Sequence, residues 1–174
     1  MRKRRLVIRT SILSIIAISL VYTFYSSHFS ERNAIQAGDK SLNFVLYDLE
    51  GKRIELDELK GQGVFLNFWG TYCPECVKEM PIMNEMYQEY ADKGIELIAI
   101  NAGESNLAVE RFTEKLDLTF PITTDKGNVF DAYGVNPLPT TVLIDADGVV
   151  VDIYTGPLNK EITREFMERI KPNS

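Results

Sequence analysis

The chain has 174 residues, of which 45% are hydrophobic and 25% are charged, and its formal net charge is −6. This length suits one domain with a sizeable core behind an N-terminal leader. Five basic residues and no acidic residue occur among the first nine, so the rest of the chain carries −11, from 14 basic and 25 acidic residues. Such an acidic domain is a poor candidate for binding nucleic acid.

An apolar stretch at residues 6–25 contains one charged residue, Arg9, and is long enough to span a bilayer. Basic residues precede it and aromatic residues close its far end, as at a membrane interface. A cleaved signal peptide is the alternative, although no small-residue cleavage pattern follows. We therefore expect a cytoplasmic basic tail at 1–9, a transmembrane signal-anchor in the cell membrane at 6–25, a linker at 26–37 and an extracytoplasmic domain at 38–174.

The remaining sequence predicts an α/β domain. Strands are predicted over 43–48, 53–56, 64–68, 95–101, 140–145 and 149–154, and helices over 77–93, 128–133 and 160–170. A further helix opens at 105 and is expected to bury Leu107, Val109, Phe112 and Leu116. This order of elements predicts a mixed sheet with helices on both faces.

The two cysteines of the chain, Cys73 and Cys76, lie where the third predicted strand ends and a helix begins. The N-terminus of a helix carries unpaired N–H groups and a partial positive charge, which stabilise a thiolate. The two-residue spacing allows the second thiol to resolve a mixed disulfide that the first has formed. The sequence therefore predicts thiol–disulfide exchange.

Other interpretations of the cysteine pair have less support. A structural zinc site needs about four ligands, and the chain adds only His28, in the predicted linker; no metal or cofactor is expected. Haem attachment would need a histidine where Val77 stands. A purely structural disulfide that closes so short a loop would add little stability.

Several segments together resemble the thioredoxin superfamily, and more narrowly the membrane-anchored, extracytoplasmic thioredoxin-like proteins of cytochrome c maturation (the ResA/TlpA group). They are Asn43-Phe44 with Gly51-Lys52, Leu59-Lys60-Gly61, Leu66-Asn67-Phe68-Trp69, the run from Cys73 to Pro81, and Pro137-Leu138-Pro139-Thr140-Thr141. The resemblance covers about residues 38–174 and implies a thioredoxin fold with an added N-terminal β-hairpin and a central αβ insertion. It implies a protein-disulfide reductase that acts on apocytochrome c or another disulfide-containing protein and is re-reduced by a membrane thiol–disulfide electron donor.

The resemblance also implies the roles of five residues. Cys73 is expected to be the exposed nucleophile and Cys76 the resolving thiol. Pro139 is expected to be a cis-proline across from the pair, and Leu138 to offer backbone pairing to a bound polypeptide. Glu79 is expected to lie near Cys76 on one helix face, and to hold its thiol protonated or exchange a proton with it. The alternative for Glu79 is an ordinary exposed glutamate.

Five more residues are expected to shape the site. Trp69 and Tyr72 precede the pair, and Tyr72 stands where the family usually has tryptophan. Pro74 suits the first helical position, because the N–H it lacks would have no helical partner. Glu75 stabilises the helix N-terminus but opposes a nearby thiolate. Glu104 matches another acid near the site in relatives.

Three other functions remain as alternatives. The same chemistry could serve other envelope or spore proteins. A thiol peroxidase is conceivable because peroxiredoxins share the fold, but they usually show Pro-x-x-x-Thr-x-x-Cys, whereas Thr71 lies only two residues before Cys73 without a preceding proline. A Cu(I)-binding module could use the two thiolates, although relatives that deliver copper generally add a histidine.

Overall fold

The computed structural model describes residues 2–30 and 35–172, and for residues 2–8 and 26–30 it describes the backbone alone. The chain divides into two compact units, Met1–Ala34 and Ile35–Ser174. The first contains α1 (Arg2–Ser30), whose side chains at 9–25 are exposed. No helix among the described residues combines the length and apolarity needed to cross a membrane. The expected linker at 26–37 lies partly outside the described residues, and its first five residues continue α1.

The second unit contains the remaining elements. Its strands are β1 (Val45–Tyr47), β2 (Arg53–Glu55), β3 (Gly63–Trp69), β4 (Ile95–Asn101), β5 (Ile122–Thr124), β6 (Thr140–Ile144) and β7 (Val150–Thr155). Its helices are α2 (Pro74–Tyr90), α3 (Asn106–Thr113), α4 (Asn128–Ala132) and α5 (Lys160–Ile170), with 3₁₀ turns at Leu56–Leu59 and Ala91–Lys93.

Five strands form a central sheet in the order β5-β4-β3-β6-β7. β3, β4 and β5 are parallel, whereas β6 is antiparallel to both β3 and β7. β1 and β2 form a separate antiparallel hairpin. The sheet is therefore mixed and flanked by helices, which confirms the predicted α/β architecture with its N-terminal hairpin.

β3 is buried along its whole length because both faces of the sheet are covered. Successive side chains of a strand point to opposite faces. Phe65 and Trp69 join the core beneath α2 and α5, whereas Leu66 and Phe68 join the core beneath the hairpin and α4. A strand buried on both faces has an almost continuous apolar sequence, and Asn67 is the polar exception within it.

α2 begins at Pro74, as expected from the preference of proline for the first helical position, and three residues before the start at 77 that the helical run predicted. Cys73 is its N-cap, in an extended conformation with φ −97° and ψ 104°. Proline is favoured at the first helical position because its fixed φ suits a helix and its missing N–H needs no partner. The earlier start places Cys76 in the first turn of the helix, with its side chain in the core.

α3 differs from its prediction in its buried face. Ser105 caps it, as expected, by accepting a hydrogen bond from the N–H of Ala108. Val109 is buried, but Leu107 is 56% exposed, and Leu116 lies beyond the last helical residue. Leu107 lies two residues before Val109, so the two side chains point to different sides of the helix, and α3 ends at Thr113, before Leu116.

Candidate active site

Cys73 and Cys76 form a disulfide, and their Cα atoms lie 5.3 Å apart. The N–H of Cys76 donates a hydrogen bond to Sγ of Cys73 at 3.2 Å. Cys73 is half-buried, whereas Cys76 has no exposed surface. A client can therefore reach only the first sulfur, which lies where the helix N-terminus favours negative charge.

An open groove of about 480 Å³ lies beside Cys73. It is lined by Tyr72, Cys73, Pro74, Ala102, Phe130, Asn136 and Leu138. A neighbouring cavity of about 500 Å³ shares Ala102 and Phe130 with it. The fold thus brings Tyr72, Pro74 and Leu138 to the nucleophile, in one open groove.

The Leu138–Pro139 peptide bond is cis, as the resemblance implied. β6 begins directly after it, and Thr140 pairs with Phe68 of β3. The carbonyl of Pro139 accepts a hydrogen bond from the N–H of Gly156 at 3.0 Å. Pairing with β3 therefore holds the cis segment beside the end of the strand that leads into the cysteine loop.

Glu79 is a carboxyl group held inside the core, with 1% of its surface exposed. It lies three residues after Cys76, on the same face of α2. Oε1 accepts a hydrogen bond from Nδ2 of Asn67 at 2.9 Å, and Oε2 accepts one from the N–H of Leu158 at 2.9 Å. The alternative of an exposed helix glutamate is therefore wrong.

The environment of Glu79 changes its acidity. Burial raises its pKa to about 7, against the lowering effect of the hydrogen bonds from Leu158 and Asn67, and the charge of Glu75 adds a smaller rise. A carboxyl group that titrates near neutral pH can both accept and release a proton under working conditions. Glu79 is thus a buried carboxyl group with a raised pKa, on the helix face that also carries Cys76.

Glu104 joins the loop after β4 to the loop after β3. Oε2 accepts hydrogen bonds from the N–H of Thr71 at 2.7 Å and from Nδ2 of Asn101 at 2.8 Å, and Oε1 accepts one from the Thr71 hydroxyl at 2.5 Å. Burial raises the pKa of Glu104, but the hydrogen bonds outweigh it and leave the pKa below its usual value. Glu104 is thus an ionised anchor for the chain two residues before Cys73.

Trp69 and Glu75 are among the expected site residues that do not line the groove. Trp69 is fully buried and packs against Phe112 with ring centroids 5.7 Å apart, so it supports the site from within the core. Glu75 is exposed in the first turn of α2 and pairs with Lys78 at 2.6 Å. Such surface pairs contribute little to stability.

The sequence did not identify Asn67, Asn101, Phe130 or Asn136 as site residues. Asn67 carried a usable signal, because a polar residue within a buried strand needs a partner. Asn101 gave a similar signal, because it is a polar residue at the end of the apolar strand β4. Phe130 and Asn136 reach the groove only through the path of the chain between β5 and β6, which leaves no local pattern.

Comparison with known proteins places these features in a family. The AhpC/TSA family model matches residues 37–153. The chain is 53% identical over 174 residues to the thiol-disulfide oxidoreductase ResA of Halalkalibacterium halodurans, covering 99% of both chains. It is 49% identical over 172 residues to the protein of that name in Geobacillus thermodenitrificans, covering 98% of this chain and 99% of that one.

Solved structures show the same fold. StoA from Bacillus subtilis superposes with a TM-score of 0.65 at 29% identity, covering 72% of this chain and 96% of that one. The exposed lipoprotein thioredoxin of Streptococcus pneumoniae strain TIGR4 superposes with a TM-score of 0.67 at 25% identity, covering 74% of this chain and 99% of that one. These likenesses confirm the predicted thioredoxin fold.

Proposed function

The chain belongs to the AhpC/TSA family and is a thiol–disulfide oxidoreductase of the ResA/TlpA type, and we propose that it reduces the haem-binding Cys-x-x-Cys-His cysteines of apocytochrome c. Haem attachment needs both of these cysteines reduced, whereas extracytoplasmic compartments favour disulfides. The observation that carries the proposal is the open groove at Cys73, which leaves one sulfur accessible to a client while Cys76 stays buried.

The first step forms a mixed disulfide. The Cys73 thiolate attacks one sulfur of the client disulfide, the client S–S bond breaks, and the other client sulfur leaves as a thiolate that takes a proton from water. The helix N-terminus lowers the free energy of the attacking thiolate. Tyr72, Pro74 and Leu138 hold the client chain beside the nucleophile.

The second step releases the reduced client. The Cys76 thiol gives its proton to the Glu79 carboxylate, and the Cys76 thiolate attacks Sγ of Cys73. The bond between Cys73 and the client breaks, the client leaves with a second thiolate, and the Cys73–Cys76 disulfide forms. Two electrons have then passed to the client, and a membrane thiol–disulfide donor returns them by the same exchange in reverse.

The client assignment is tested by competition. The reduced full-length chain is mixed with oxidised apocytochrome c and with a disulfide protein of similar size that has no Cys-x-x-Cys-His. Alkylation of free thiols and mass spectrometry then follow both clients. We expect apocytochrome c to be reduced about tenfold faster or more. Equal rates would overturn this client in favour of a general reductase for envelope or spore proteins.

A cellular measurement completes the test. Haem-stained c-type cytochromes should disappear from a strain without the gene. They should return with the wild-type chain but not with Cys73→Ala. Normal haem staining in the deleted strain would contradict the proposal, whatever the purified protein reduces.

We further propose that residues 6–25 anchor the protein in the cell membrane with the catalytic domain on the extracytoplasmic side. The support comes from the sequence, in which the stretch has one charged residue and follows a basic N-terminus. In spheroplasts, external protease should remove the domain, and alkaline extraction should leave the intact chain with the membranes. Recovery of a shortened, freely released domain would show a cleaved signal peptide instead.

A further inference from the structure

Asn67 lies in the middle of the central strand β3, with no exposed surface. Its Nδ2 donates to Oε1 of Glu79 at 2.9 Å and approaches the hydroxyl of Thr141 at 3.4 Å. Its Oδ1 is also buried, and it has no hydrogen-bond partner among the residues that the structure describes. A buried acceptor without a partner costs free energy, so its presence beside a titrating acid calls for a physical reason.

We propose that Asn67 is a positioning residue that allows Glu79 to gain and lose a proton within the core. When Glu79 is ionised, the amide donates through Nδ2, as observed. When Glu79 is protonated, half a turn of the amide places Oδ1 against the carboxyl O–H, which then donates to it. The same turn allows the hydroxyl of Thr141 to donate to Oδ1. The atom that is unpaired in one state is thus the acceptor in the other.

The second partner of Glu79 cannot adapt in this way. The N–H of Leu158 is a backbone donor, satisfied by a carboxylate oxygen or by the carbonyl oxygen of the protonated acid. A side-chain amide carries both donor and acceptor on one rotatable group. Among the hydrogen-bond partners described for Glu79, Asn67 is therefore the one that can donate to the carboxylate and also accept from the O–H of the protonated acid.

The charged groups around Glu79 do not take over this function. On its own helix, Glu75 lies about one turn away and disfavours the ionised form. β3 and β6 present the neutral side chains Asn67 and Thr141. The basic residues of α5 that reach α2 pair with acids further along it, Lys160 with Glu85 and Arg164 with Glu89.

The inference rests on the proposed role of Glu79 as the proton acceptor for Cys76. Each turnover places a proton on Glu79 and removes it again. Without Asn67, the ionised acid would lose one donor and the protonated acid would have no acceptor for its O–H. A change of protonation state would then leave a buried group unpaired, which opposes the second step of the exchange.

A direct test follows the amide during a titration. The oxidised full-length chain, with ¹⁵N-labelled asparagine and ¹³C-labelled glutamate in detergent micelles, is titrated by NMR across about two pH units on either side of 7. We expect the Asn67 side-chain signals to move with the midpoint of the Glu79 carboxyl carbon, and the contacts of the amide protons with Glu79 and Thr141 to change. Identical contacts at both ends of the titration would overturn the proposal.

Glu79→Gln supplies a fixed reference state in the same experiment. A glutamine at this position can accept from Leu158 and donate to Oδ1 of Asn67, as the protonated acid does. We expect Asn67 to keep its turned orientation at every pH in this variant. An Asn67 amide that still donates towards position 79 would contradict the inference.

A functional test uses Asn67→Leu, which keeps the volume and removes both donor and acceptor. We expect release of a preformed mixed disulfide to slow about tenfold, and the pH profile of release to move upward by about one pH unit because the carboxylate has lost a donor. Thr123→Val is the matched control, since the hydroxyl of Thr123, in β5, is also fully buried and has no hydrogen-bond partner in the described part of the chain.

The outcomes separate the two proposals. If Asn67→Leu and Thr123→Val behave alike, the role of Asn67 is wrong. If Glu79→Gln releases the mixed disulfide at the wild-type rate, the proton-carrier role of Glu79 fails, and the titration still decides whether the amide turns.

Discussion

The carboxylate of Glu104 holds the backbone N–H of Thr71 at 2.7 Å, which fixes the chain two residues before Cys73. The two residues belong to loops that follow neighbouring parallel strands, β4 and β3. The carboxyl ends of such strands meet at one edge of a sheet, where active sites of α/β folds lie. The position of the nucleophile is therefore set partly by a residue that follows it by 31 positions in the sequence.

Removal of the contact between Glu104 and Thr71 should weaken the fold. Glu104→Ala leaves the N–H of Thr71 and the amide of Asn101 without their acceptor, and we expect the free energy of unfolding to fall by about 2 kcal/mol. Urea unfolding of the oxidised protein measures the loss. Glu114→Ala, at an exposed carboxylate at the end of α3, is the control. Equal losses in the two variants would show that the contact contributes nothing specific.

The contribution of Glu104 should also depend on pH. Its pKa is lowered in the folded chain, because the hydrogen bonds outweigh the effect of burial. The stabilisation is therefore present above the unfolded-state pKa and is lost as the pH falls through the folded-state pKa. The difference in unfolding free energy between wild type and Glu104→Ala should shrink in acid. A difference that stays constant would argue against an ionised Glu104.

The two cysteines should differ sharply when replaced. Cys73→Ala should abolish disulfide exchange, because Cys76 is buried and cannot meet a client. Cys76→Ala should retain the first step and accumulate mixed disulfides with clients, since nothing resolves them. Insulin reduction and non-reducing gels measure the two effects. Full exchange activity in both single variants would refute the assigned chemistry.

Glu79 should make the oxidised protein less stable as the pH rises. Its pKa rises from the ordinary glutamate value of 4.5 to about 7 in the folded chain. The folded state therefore binds more protons than the unfolded state between these values, and its stabilisation is complete below the lower value and lost as the pH passes the upper one. At 1.36 kcal/mol per pH unit the loss is about 3 kcal/mol. Urea unfolding of wild type and Glu79→Gln at both ends of this range measures the loss of unfolding free energy. If the variant loses as much stability as wild type, the loss belongs to other groups.

A methyl group at Gly70 should disturb the groove without disturbing the fold. An added Cβ would lie 2.8 Å from the ring of Tyr72, which is 66% exposed and free to move outward. We expect Gly70→Ala to raise KM for a protein client and to leave reduction of a small disulfide unchanged. Combining it with Tyr72→Ala should add nothing to the effect of Tyr72→Ala alone. Additive effects would show that Gly70 acts through another contact.

A methyl group at Gly63, unlike one at Gly70, should disturb the fold itself. An added Cβ there would lie 2.1 Å from the carbonyl oxygen of Ile170, a backbone atom that cannot move aside. Gly63→Ala should therefore lower the free energy of unfolding by about 2 kcal/mol. Chemical unfolding of the two alanine variants side by side measures the contrast. Equal stability of Gly63→Ala and wild type would contradict this packing.

Much of the fold could be predicted because its strands are apolar runs between turn residues. The strand predicted over 95–101 matches β4 residue for residue. The helical run alone predicted a start of α2 at 77, whereas Pro74 occupies the first helical position, as expected from its missing N–H, and Cys73 caps the helix. Leu107 was misplaced because it lies two residues before Val109 and so on a different side of α3, and Leu116 because helical spacing alone does not show where a helix ends.

The candidate site was predictable only in its local part. The spacing of Cys73, Cys76 and Glu79 placed the three residues near one another, but it did not show whether Glu79 is buried. That burial depends on Asn67 and Leu158, which lie 12 and 79 residues away in the sequence. Contacts between residues so far apart arise from the sheet topology and leave no periodic pattern in the chain.

Pro74 and Glu75 lie between the two cysteines, and neither belongs to the buried core. Both are exposed in the first turn of α2, and Glu75 pairs only with Lys78 among the described partners of its side chain. Surface substitutions of this kind usually change stability by less than about 0.5 kcal/mol. Substitution of Glu75 should therefore cost the fold little, so the charge between the two cysteines can change while the scaffold stays the same.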